Sequence, residues 1–310
     1  MTAVVLGASG FLGRHICAAF RTAGWQVLGV ARSGPEPVDL LRTAPQALTA
    51  LFDGADVVVN AAGRAWRADA QEMTLGNVRL VRTVLDALHP LRRRPRLVQL
   101  GSVHEYGAGV PGTATAESRP ALPVTPYGRT KLEATQAVLN AAERRQVDGT
   151  VLRVANVCGA GAPAGSLFGL LASTVADAGR RRAAGLSPPA LRVSPLRAHR
   201  DVVDVRDVAD AVVAAAAPSA AVSGHVINVG GGRAVHMRQL VDRAVALAGA
   251  PLSVLEAPDD DRTTGTDWQL LDITLAHRLL HWRPSRALDD MLGHLLSGPD
   301  SHLMDTPWRG

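Results

Sequence analysis

The first half of the chain alternates short apolar runs with amphipathic stretches. The apolar runs are continuous, which is typical of strands buried on both faces of a parallel sheet. The predicted strands are residues 3–8, 26–31, 56–62, 96–102 and 149–156. Helix-like segments separate them, at residues 11–23, 44–52, 69–88 and 126–146. This order predicts an α/β fold with a doubly wound parallel sheet of the Rossmann type.

A glycine-rich turn follows the first predicted strand. The segment GASGFLG places Gly7, Gly10 and Gly13 between that strand and the first predicted helix. Glycines there let backbone N–H groups and the helix N-terminus approach a pyrophosphate. The spacing GxxGxxG is a weak signal alone, but its position in the first βαβ unit favours a dinucleotide site. The same segment adds Ser9, Phe11 and Leu12 to the predicted cofactor site, and Arg14, directly after it, is a fourth.

The end of the second predicted strand indicates which dinucleotide binds. A site that prefers NAD usually has Asp or Glu there, which accepts a hydrogen bond from the ribose 2′-hydroxyl. This chain has Arg32 and Ser33, which suit a 2′-phosphate, and Arg14 could add charge on the same side. The sequence therefore predicts NADPH/NADP rather than NAD, unless these are ordinary surface arginines. Asp39 and Leu40 are expected where a loop reaches the adenine.

The later part of the chain has a different residue pattern. After about residue 157, Gly/Pro-rich segments surround a helical pattern, and residues 200–217 return to a strand followed by a helix. A late strand at 224–232 precedes helical patterns at 236–249 and 272–282. We expect a dinucleotide-binding domain and a smaller, discontinuous substrate-binding lobe. The expected boundaries are 1–156 for the domain, rejoined by about 200–230, and 157–199 with 231–300 for the lobe.

Composition excludes several classes of protein. The chain has 310 residues, 47% hydrophobic and 20% charged, as in ordinary globular proteins. No apolar run is long enough to span a bilayer, and two cysteines with no leader-like segment favour a reduced, cytoplasmic protein. The net charge of +5 raises the question of nucleic acid, but the arginines are dispersed and few aromatics are present to stack on bases. We expect neither a nucleic-acid nor a membrane partner, and no metal site.

One lysine stands among thirty-two arginines, and it lies four residues after a tyrosine. On a helix, Tyr127 and Lys131 share one face, a turn apart. A free phenol titrates near pH 10, and a nearby ammonium is expected to lower that pKa towards the range useful for proton transfer. Ser102, at the carboxyl end of a predicted strand, lies where open α/β sheets bind ligands, and could polarise a substrate carbonyl. Ser102, Tyr127 and Lys131 are therefore the predicted catalytic residues.

Taken in chain order, these segments resemble the extended short-chain dehydrogenase/reductase family, in the branch of nucleotide-sugar epimerases, dehydratases and ketoreductases. The resemblance covers nearly the whole chain. It rests on GASGFLG, on NAAG with Ala61, Ala62 and Gly63, on GNVRLVRTVLDAL with Asn77, on GSVHEYG with Ser102, on YGRTK, on LRVAN with Asn156, and on RDVVDVRDVADA, NVGGG and LLHWRPS.

The resemblance implies a role for each matched residue. Ser102 would polarise a sugar keto group, Tyr127 would donate or accept the proton, and Lys131 would hold the nicotinamide ribose. Ala61, Ala62, Gly63 and Asn77 would line or support the cofactor site. The expected substrate is a nucleotide-diphosphate sugar, and family members often form homodimers. The residues expected near the sugar nucleotide are Asn156, Arg200 and Arg262, with Arg262 on the diphosphate.

Two departures from the family pattern narrow the chemistry. Sugar-nucleotide 4,6-dehydratases carry Thr-Asp-Glu where this chain has Ser102, Val103 and His104, so water elimination is not expected. His104 falls where related epimerase–reductases place an acid/base group, but a contact with a substrate hydroxyl is the favoured role. Cys158 replaces an aromatic residue and is expected to be a packing residue.

Three functions remain open from the sequence. The first is an NADPH-dependent 4-ketoreductase that acts on a nucleotide-linked keto-deoxysugar, as in antibiotic deoxysugar pathways. The second is a nucleotide-sugar 4-epimerase with tightly bound NAD, against which the missing acidic residue after the second strand argues. The third group comprises a reductase of a non-sugar ketone and a non-catalytic dinucleotide-binding protein. Retention of both Tyr127 and Lys131 argues against the non-catalytic protein.

Overall fold

A parallel sheet organises the described part of the protein. The computed structural model describes residues 1–33, 37–65, 68–249, 252–258 and 267–298. Six strands form the sheet in the order β2-β1-β3-β4-β5-β9, all parallel. They are β1 (Thr2–Leu6), β2 (Gln26–Val30), β3 (Val57–Asn60), β4 (Arg96–Ser102), β5 (Asp148–Val154) and β9 (Val226–Val229). The strand order reverses at β1, so the crevice at the carboxyl ends of β1 and β3 is the position expected for a bound ligand. The predicted doubly wound fold is confirmed.

Helices cover both faces of this sheet. Alternate residues of the strands face opposite ways, and each set packs into its own apolar cluster. One cluster includes α1 (Phe11–Thr22), α7 (Val205–Ala216) and α9 (Thr274–Leu280). The other includes α2 (Pro45–Phe52), α4 (Leu80–Leu88) and α5 (Pro126–Glu143). This burial on both faces explains why the strands are continuously apolar in the sequence.

The predicted helix at 69–88 has an internal irregularity. It begins with α3 (Ala70–Met73), continues through a π-helical stretch at Thr74–Arg79 and ends as α4. Asp69 caps its start with a reciprocal pair of hydrogen bonds to Glu72. The π-helical stretch contains Asn77, which the sequence associates with the site. Single π turns inside helices are often found at functional sites.

The later residues add smaller sheets and a third apolar cluster. Strand β8 (His199–Asp204) pairs with β6 (Asn156–Cys158) and β10 (Ala234–His236), and β7 (Ala190–Val193) pairs with β11 (Ser253–Glu256). The third cluster is formed largely by α6 (Leu167–Ala183), α8 (Met237–Ala248) and α10 (Leu288–Leu296). The expected domain boundaries stay a prediction. In the described residues, every helix is too short or too polar to cross a bilayer.

One buried carboxylate fastens the last described segment to α7. The side chain of Asp207 accepts hydrogen bonds from the backbone and hydroxyl of Ser285 and from Arg286. Its carbonyl accepts the indole N–H of Trp282 at 3.0 Å. The same guanidinium group of Arg286 also donates to the exposed Asp210. Asp207 therefore provides most of this attachment.

Replacing Asp207 with Asn should lower the free energy of unfolding by about 1–3 kcal/mol, because charge-assisted hydrogen bonds in a buried site are lost. Asp210→Asn is the matched control, since it removes the exposed partner of the same arginine and should cost less than about 0.5 kcal/mol. Urea unfolding followed by circular dichroism measures both. Equal losses in the two variants would contradict this account of the attachment.

Candidate active site

The glycine turn forms a compact bridge between β1 and α1. The N–H groups of Gly7 and Ala8 both donate to the carbonyl of Val30, at 2.8 and 3.1 Å. Gly10 N–H donates to Gly7 O at 2.9 Å, and α1 starts at the next residue without a side-chain cap. The N-terminal N–H groups of α1 therefore face the end of the sheet with no side-chain oxygen bound to them. This arrangement favours an anion such as a pyrophosphate.

A close approach explains the third glycine of the turn. A Cβ atom placed on Gly13 would lie 2.1 Å from the carbonyl oxygen of Gly7. Any side chain at this position would push α1 away from the turn, which would displace the helix N-terminus. The residues present thus fit a dinucleotide, with Ser9 and Gly10 exposed at the tip of the turn and Phe11 and Leu12 half-buried behind it.

The end of β2 lies beside the glycine turn. Arg32 and Ser33 are exposed, and the Ser33 hydroxyl donates to the Ser9 hydroxyl at 3.2 Å. The guanidinium group of Arg14 donates to the carbonyl of Gly161. The expected positions of Arg14 and Arg32 beside a 2′-phosphate stay predictions. In the following loop, Asp39 accepts the N–H of Leu41 at 3.0 Å, and Leu40 is buried.

Asn77 joins the loop after β3 to helix α5. It accepts the N–H of Arg64 at 2.8 Å and donates to the carbonyl of the same residue at 2.9 Å. It also donates to the Thr130 hydroxyl at 3.0 Å, and that hydroxyl donates to Tyr127 O. The loop concerned begins with Ala61, Ala62 and Gly63, so Asn77 holds the expected cofactor side of the crevice against the helix that carries the predicted acid.

The three predicted catalytic residues meet at the carboxyl end of β4. Ser102 is the last residue of that strand, and Tyr127 and Lys131 lie in the first turns of α5. Thr125 caps α5 by accepting the N–H of Gly128 at 3.0 Å, and Pro126 occupies the first helical position. The Ser102 side chain lies close enough to the phenol of Tyr127 to lower its pKa. Lys131 is buried and donates to the carbonyl of Leu100.

The protonation of Tyr127 differs from the expected one. The pKa of its phenol is raised to about 12, chiefly by burial; the nearby Ser102 side chain lowers it, and the negative charge of Glu105 raises it. Burial lowers the pKa of Lys131, and Glu105 partly restores it. The prediction that Lys131 lowers the phenol pKa is therefore wrong for this state of the protein, in which the ammonium is directed at Leu100 O. At neutral pH the phenol keeps its proton.

His104 lies beside Tyr127, with the two ring centroids 5.8 Å apart. Burial lowers the pKa of His104 to about 4, and the positive charge of Arg200 lowers it too. His104 is therefore neutral at pH 7 and offers one N–H donor and one acceptor nitrogen. Because its charge acts on His104, the half-buried Arg200 lies on the same side of the crevice as His104.

The remaining predicted substrate residues have different outcomes. Asn156 uses its amide N–H groups within the protein, donating to the carbonyl of Asp201 and to the side chain of Gln269, both at 2.9 Å. Its amide oxygen is left as the group to face a ligand. Cys158 is fully buried in the third apolar cluster, and burial raises the pKa of its thiol, which suits a packing residue. Arg262 lies outside the described residues.

Comparison with known proteins identifies the family. Residues 3–230 match the NAD dependent epimerase/dehydratase family. The chain belongs to this family. The family resemblance predicted from the sequence is confirmed. In this family member, the glycine turn is the part that fits a dinucleotide.

Individual relatives match almost the whole length of this chain. A dTDP-6-deoxy-L-talose 4-dehydrogenase (NAD(P)(+)) from Kitasatospora kifunensis is 42% identical over 302 residues, which cover 94% of this chain and 93% of that protein. RMD from Pseudomonas aeruginosa, solved with NADPH, superimposes with a TM-score of 0.81 at 24% identity, over 96% of this chain and 98% of that one. A UDP-glucuronic acid 4-epimerase from Bacillus cereus, solved with UDP-glucuronic acid and NAD, gives 0.81 at 22% identity with the same coverage. These two structures show the shared fold.

Sequence reasoning missed several residues that hold the site together. Thr130 and the buried pair of Glu105 and Arg153 received no role, although all three lie in or next to quoted motifs. Their charge could have revealed Glu105 and Arg153, because each is a charged residue in a largely apolar segment. A charged residue in such a segment needs a buried partner.

Gly13→Ala should weaken dinucleotide binding about tenfold or more, because overpacking of this kind typically costs about 1–3 kcal/mol and the displaced part is the pyrophosphate turn. Gly179→Ala is the matched control. Gly179 lies in α6, a Cβ atom there meets no atom within 4 Å, and a small gain in stability is expected. Titration calorimetry with NADPH and NADH measures the affinities. Wild-type affinity in Gly13→Ala would show that the turn does not hold the cofactor.

Proposed function

We propose that this chain is an NADPH-dependent ketoreductase that reduces a nucleotide-linked keto-deoxysugar at C4. The observation that carries the proposal is the meeting of Ser102, Tyr127 and the buried Lys131 at the carboxyl end of β4. Reduction of a ketone needs an acid that delivers a proton to the carbonyl oxygen. A phenol whose pKa is raised to about 12 is in that acid form at neutral pH, whereas oxidation of an alcohol needs the phenolate.

The identity of the substrate is inferred from the relative in Kitasatospora kifunensis. Its name states a dehydrogenation at C4 of dTDP-6-deoxy-L-talose. A dehydrogenase and a ketoreductase catalyse the same equilibrium in opposite directions, so the matching ketone is a dTDP-4-keto-6-deoxyhexose. The 42% identity extends over nearly all of both chains, which supports transfer of the substrate class. Fold alone would not support it.

Each proposed catalytic residue has a separate task. The hydroxyl of Ser102 and the phenol of Tyr127 donate hydrogen bonds to the keto oxygen, and the phenol then gives up its proton. Lys131 has three N–H donors, of which one binds Leu100 O, so two are left for ribose hydroxyls. The bound NADPH supplies the hydride.

The residues after Ser102 support reduction over water elimination. Val103 is buried and apolar, so it offers no acid or base. His104 is neutral at pH 7 because burial and Arg200 lower its pKa to about 4, so it is a poor proton donor for elimination. We assign His104 to a hydrogen bond with a hydroxyl of the sugar.

The proposal is tested by incubating the protein with dTDP-4-keto-6-deoxy-L-mannose, the C4 ketone of dTDP-6-deoxy-L-talose, and either NADPH or NADH. We expect NADPH to be oxidised and a dTDP-6-deoxyhexose with a C4 hydroxyl to form, as measured by absorbance and by NMR of the product. Co-purified NAD together with C4 epimer exchange, in the absence of added NADPH, would instead identify a 4-epimerase.

Tyr127→Phe should lower kcat about a hundredfold or more, because the variant lacks the proton donor, while NADPH still binds. The chain offers a matched control in its only other tyrosine. The phenol of Tyr106 donates to Asn228 at 2.8 Å, so Tyr106→Phe should lower stability with little change in kcat. Near-normal turnover by Tyr127→Phe would overturn the assignment of the acid.

Arg32→Asp should weaken NADPH binding about tenfold or more and leave NADH binding nearly unchanged, because only NADPH carries the 2′-phosphate. Arg180→Asp makes the same charge change at an exposed, distant position and should alter neither affinity. Calorimetric titration of both variants gives the ratio of the two affinities. An unchanged ratio in Arg32→Asp would remove the basis for the NADPH preference.

A further inference from the structure

A fully buried carboxylate lies directly beneath the proposed catalytic residues. Glu105 ends the single 3₁₀ turn, Val103–Glu105, that follows β4, and its side chain is 0% exposed. One carboxylate oxygen accepts the backbone N–H of Ser102 at 2.8 Å. The other accepts the Thr135 hydroxyl at 2.9 Å and the Nε–H of Arg153 at 2.7 Å. Three elements, β4, α5 and β5, therefore converge on one carboxylate.

The last residues of β4 contact either this carboxylate or the side chain of Lys131. The carbonyl of Leu100 accepts the ammonium group of Lys131. A Cβ atom on Gly101 would lie 2.7 Å from a carboxylate oxygen of Glu105, so only glycine lets the side chain lie over the strand. Ser102 then donates its N–H to the same oxygen. Successive residues of the strand thus contact the ammonium group or the carboxylate.

The charge of Glu105 reaches both titrating members of the site. Lys131 and Thr135 are four residues apart on α5, so they present neighbouring positions to the end of β4. The negative charge of Glu105 favours the ammonium form of Lys131, which burial disfavours, and it also favours the neutral phenol of Tyr127. Both effects maintain the protonated forms that reduction requires.

We propose that Glu105 is a positioning residue for this site: its buried carboxylate fixes the backbone of Ser102 and places a negative charge near Lys131. The part of this proposal that concerns catalysis rests on the proposed function. The part that concerns the charge of Glu105 and its effect on Lys131 does not depend on which reaction the protein catalyses. Glu105 contacts neither the ketone nor the cofactor, so it acts through Ser102, Tyr127 and Lys131.

Other charged and titratable groups also face this cluster. Arg153 pairs with Glu105 and lies over the ring of Tyr106, 4.5 Å from its centroid. The charge of Glu117 acts on Tyr106, and the charge of Arg153 acts on Glu117. On the far side, Arg200 acts on His104. The groups that a titration must take into account are therefore His104, Tyr106, Glu117, Tyr127, Lys131, Arg153 and Arg200.

The single lysine permits a direct test that needs no substrate. Protein grown with lysine labelled with carbon-13 at Cε gives one lysine side-chain signal, which titrates with the pKa of Lys131. In Glu105→Gln we expect this pKa to fall by about one unit or more, because the opposite charge is removed from a buried ammonium. Asp207→Asn is the matched control, since it removes another buried carboxylate that is paired with an arginine, and it should leave the signal unchanged. An unchanged titration in Glu105→Gln, or an equal shift in the control, would overturn the proposal.

Glu105→Asp tests the positioning role and keeps the charge that Arg153 needs, so it applies even if Glu105→Gln does not fold. The shorter side chain withdraws the carboxylate from the Ser102 N–H. We expect kcat to fall about tenfold or more with little change in KM, and Lys131 to titrate within about half a unit of the wild-type value. Wild-type kcat in Glu105→Asp would overturn the positioning role.

The two proposals fail in different ways. If the wild-type protein leaves dTDP-4-keto-6-deoxy-L-mannose unchanged, the proposed function fails, and the lysine titration still decides whether the charge of Glu105 acts on Lys131. If the wild-type protein turns over but neither variant behaves as expected, only the role of Glu105 fails.

Discussion

The contact between the carboxyl end of β4 and the first turns of α5 determines the geometry of the whole site. It consists of the hydrogen bond from Lys131 to Leu100 O and the contacts of Glu105 with both elements, and it places Tyr127 close to Ser102. A strand and a helix joined at several points cannot slide past each other without losing buried polar contacts, and each lost contact would cost about 1–3 kcal/mol. Asn77 extends the same connection to the loop after β3. The cofactor side and the acid side of the crevice are therefore held as one unit.

Burial sets the electrostatic character of this unit. In water a phenol, an ammonium and an imidazole each titrate near their ordinary values, but in the crevice the cost of desolvating a charge dominates. The pKa of Tyr127 rises, and those of Lys131 and His104 fall. Glu105 opposes this effect at Lys131 and reinforces it at Tyr127, so one buried charge favours the protonated forms of both residues. The resulting protonation is the one that suits reduction of a ketone.

Much of the fold followed from residue patterns that are local. The continuous apolar runs predicted the first five strands of the central sheet, because strands buried on both faces need no polar residues. The glycine turn and the YxxxK spacing were readable for the same reason, since each depends on residues a few positions apart. Strands β6, β7, β10 and β11 were not predicted, because each has only three or four residues, includes a polar residue and lies in no longer apolar run, unlike the equally short β3 and β9. The irregular helix around Asn77 was likewise invisible, because a π turn leaves no pattern of its own.

The sequence by itself determined the type of sheet and the position of the glycine turn, and it selected the serine, tyrosine and lysine that are the candidate catalytic residues. Each of these is encoded by spacing along the chain or by a residue type that the chemistry requires. Only the tertiary structure decided which groups act on them. The side chain of Arg14 donates to the carbonyl of Gly161, and that of Lys131 donates to the carbonyl of Leu100. The pKa of Tyr127 is raised, whereas the sequence predicted that it would fall. Desolvation and long-range charge depend on distances between residues far apart in the chain, and those distances exist only once the strands and helices have packed.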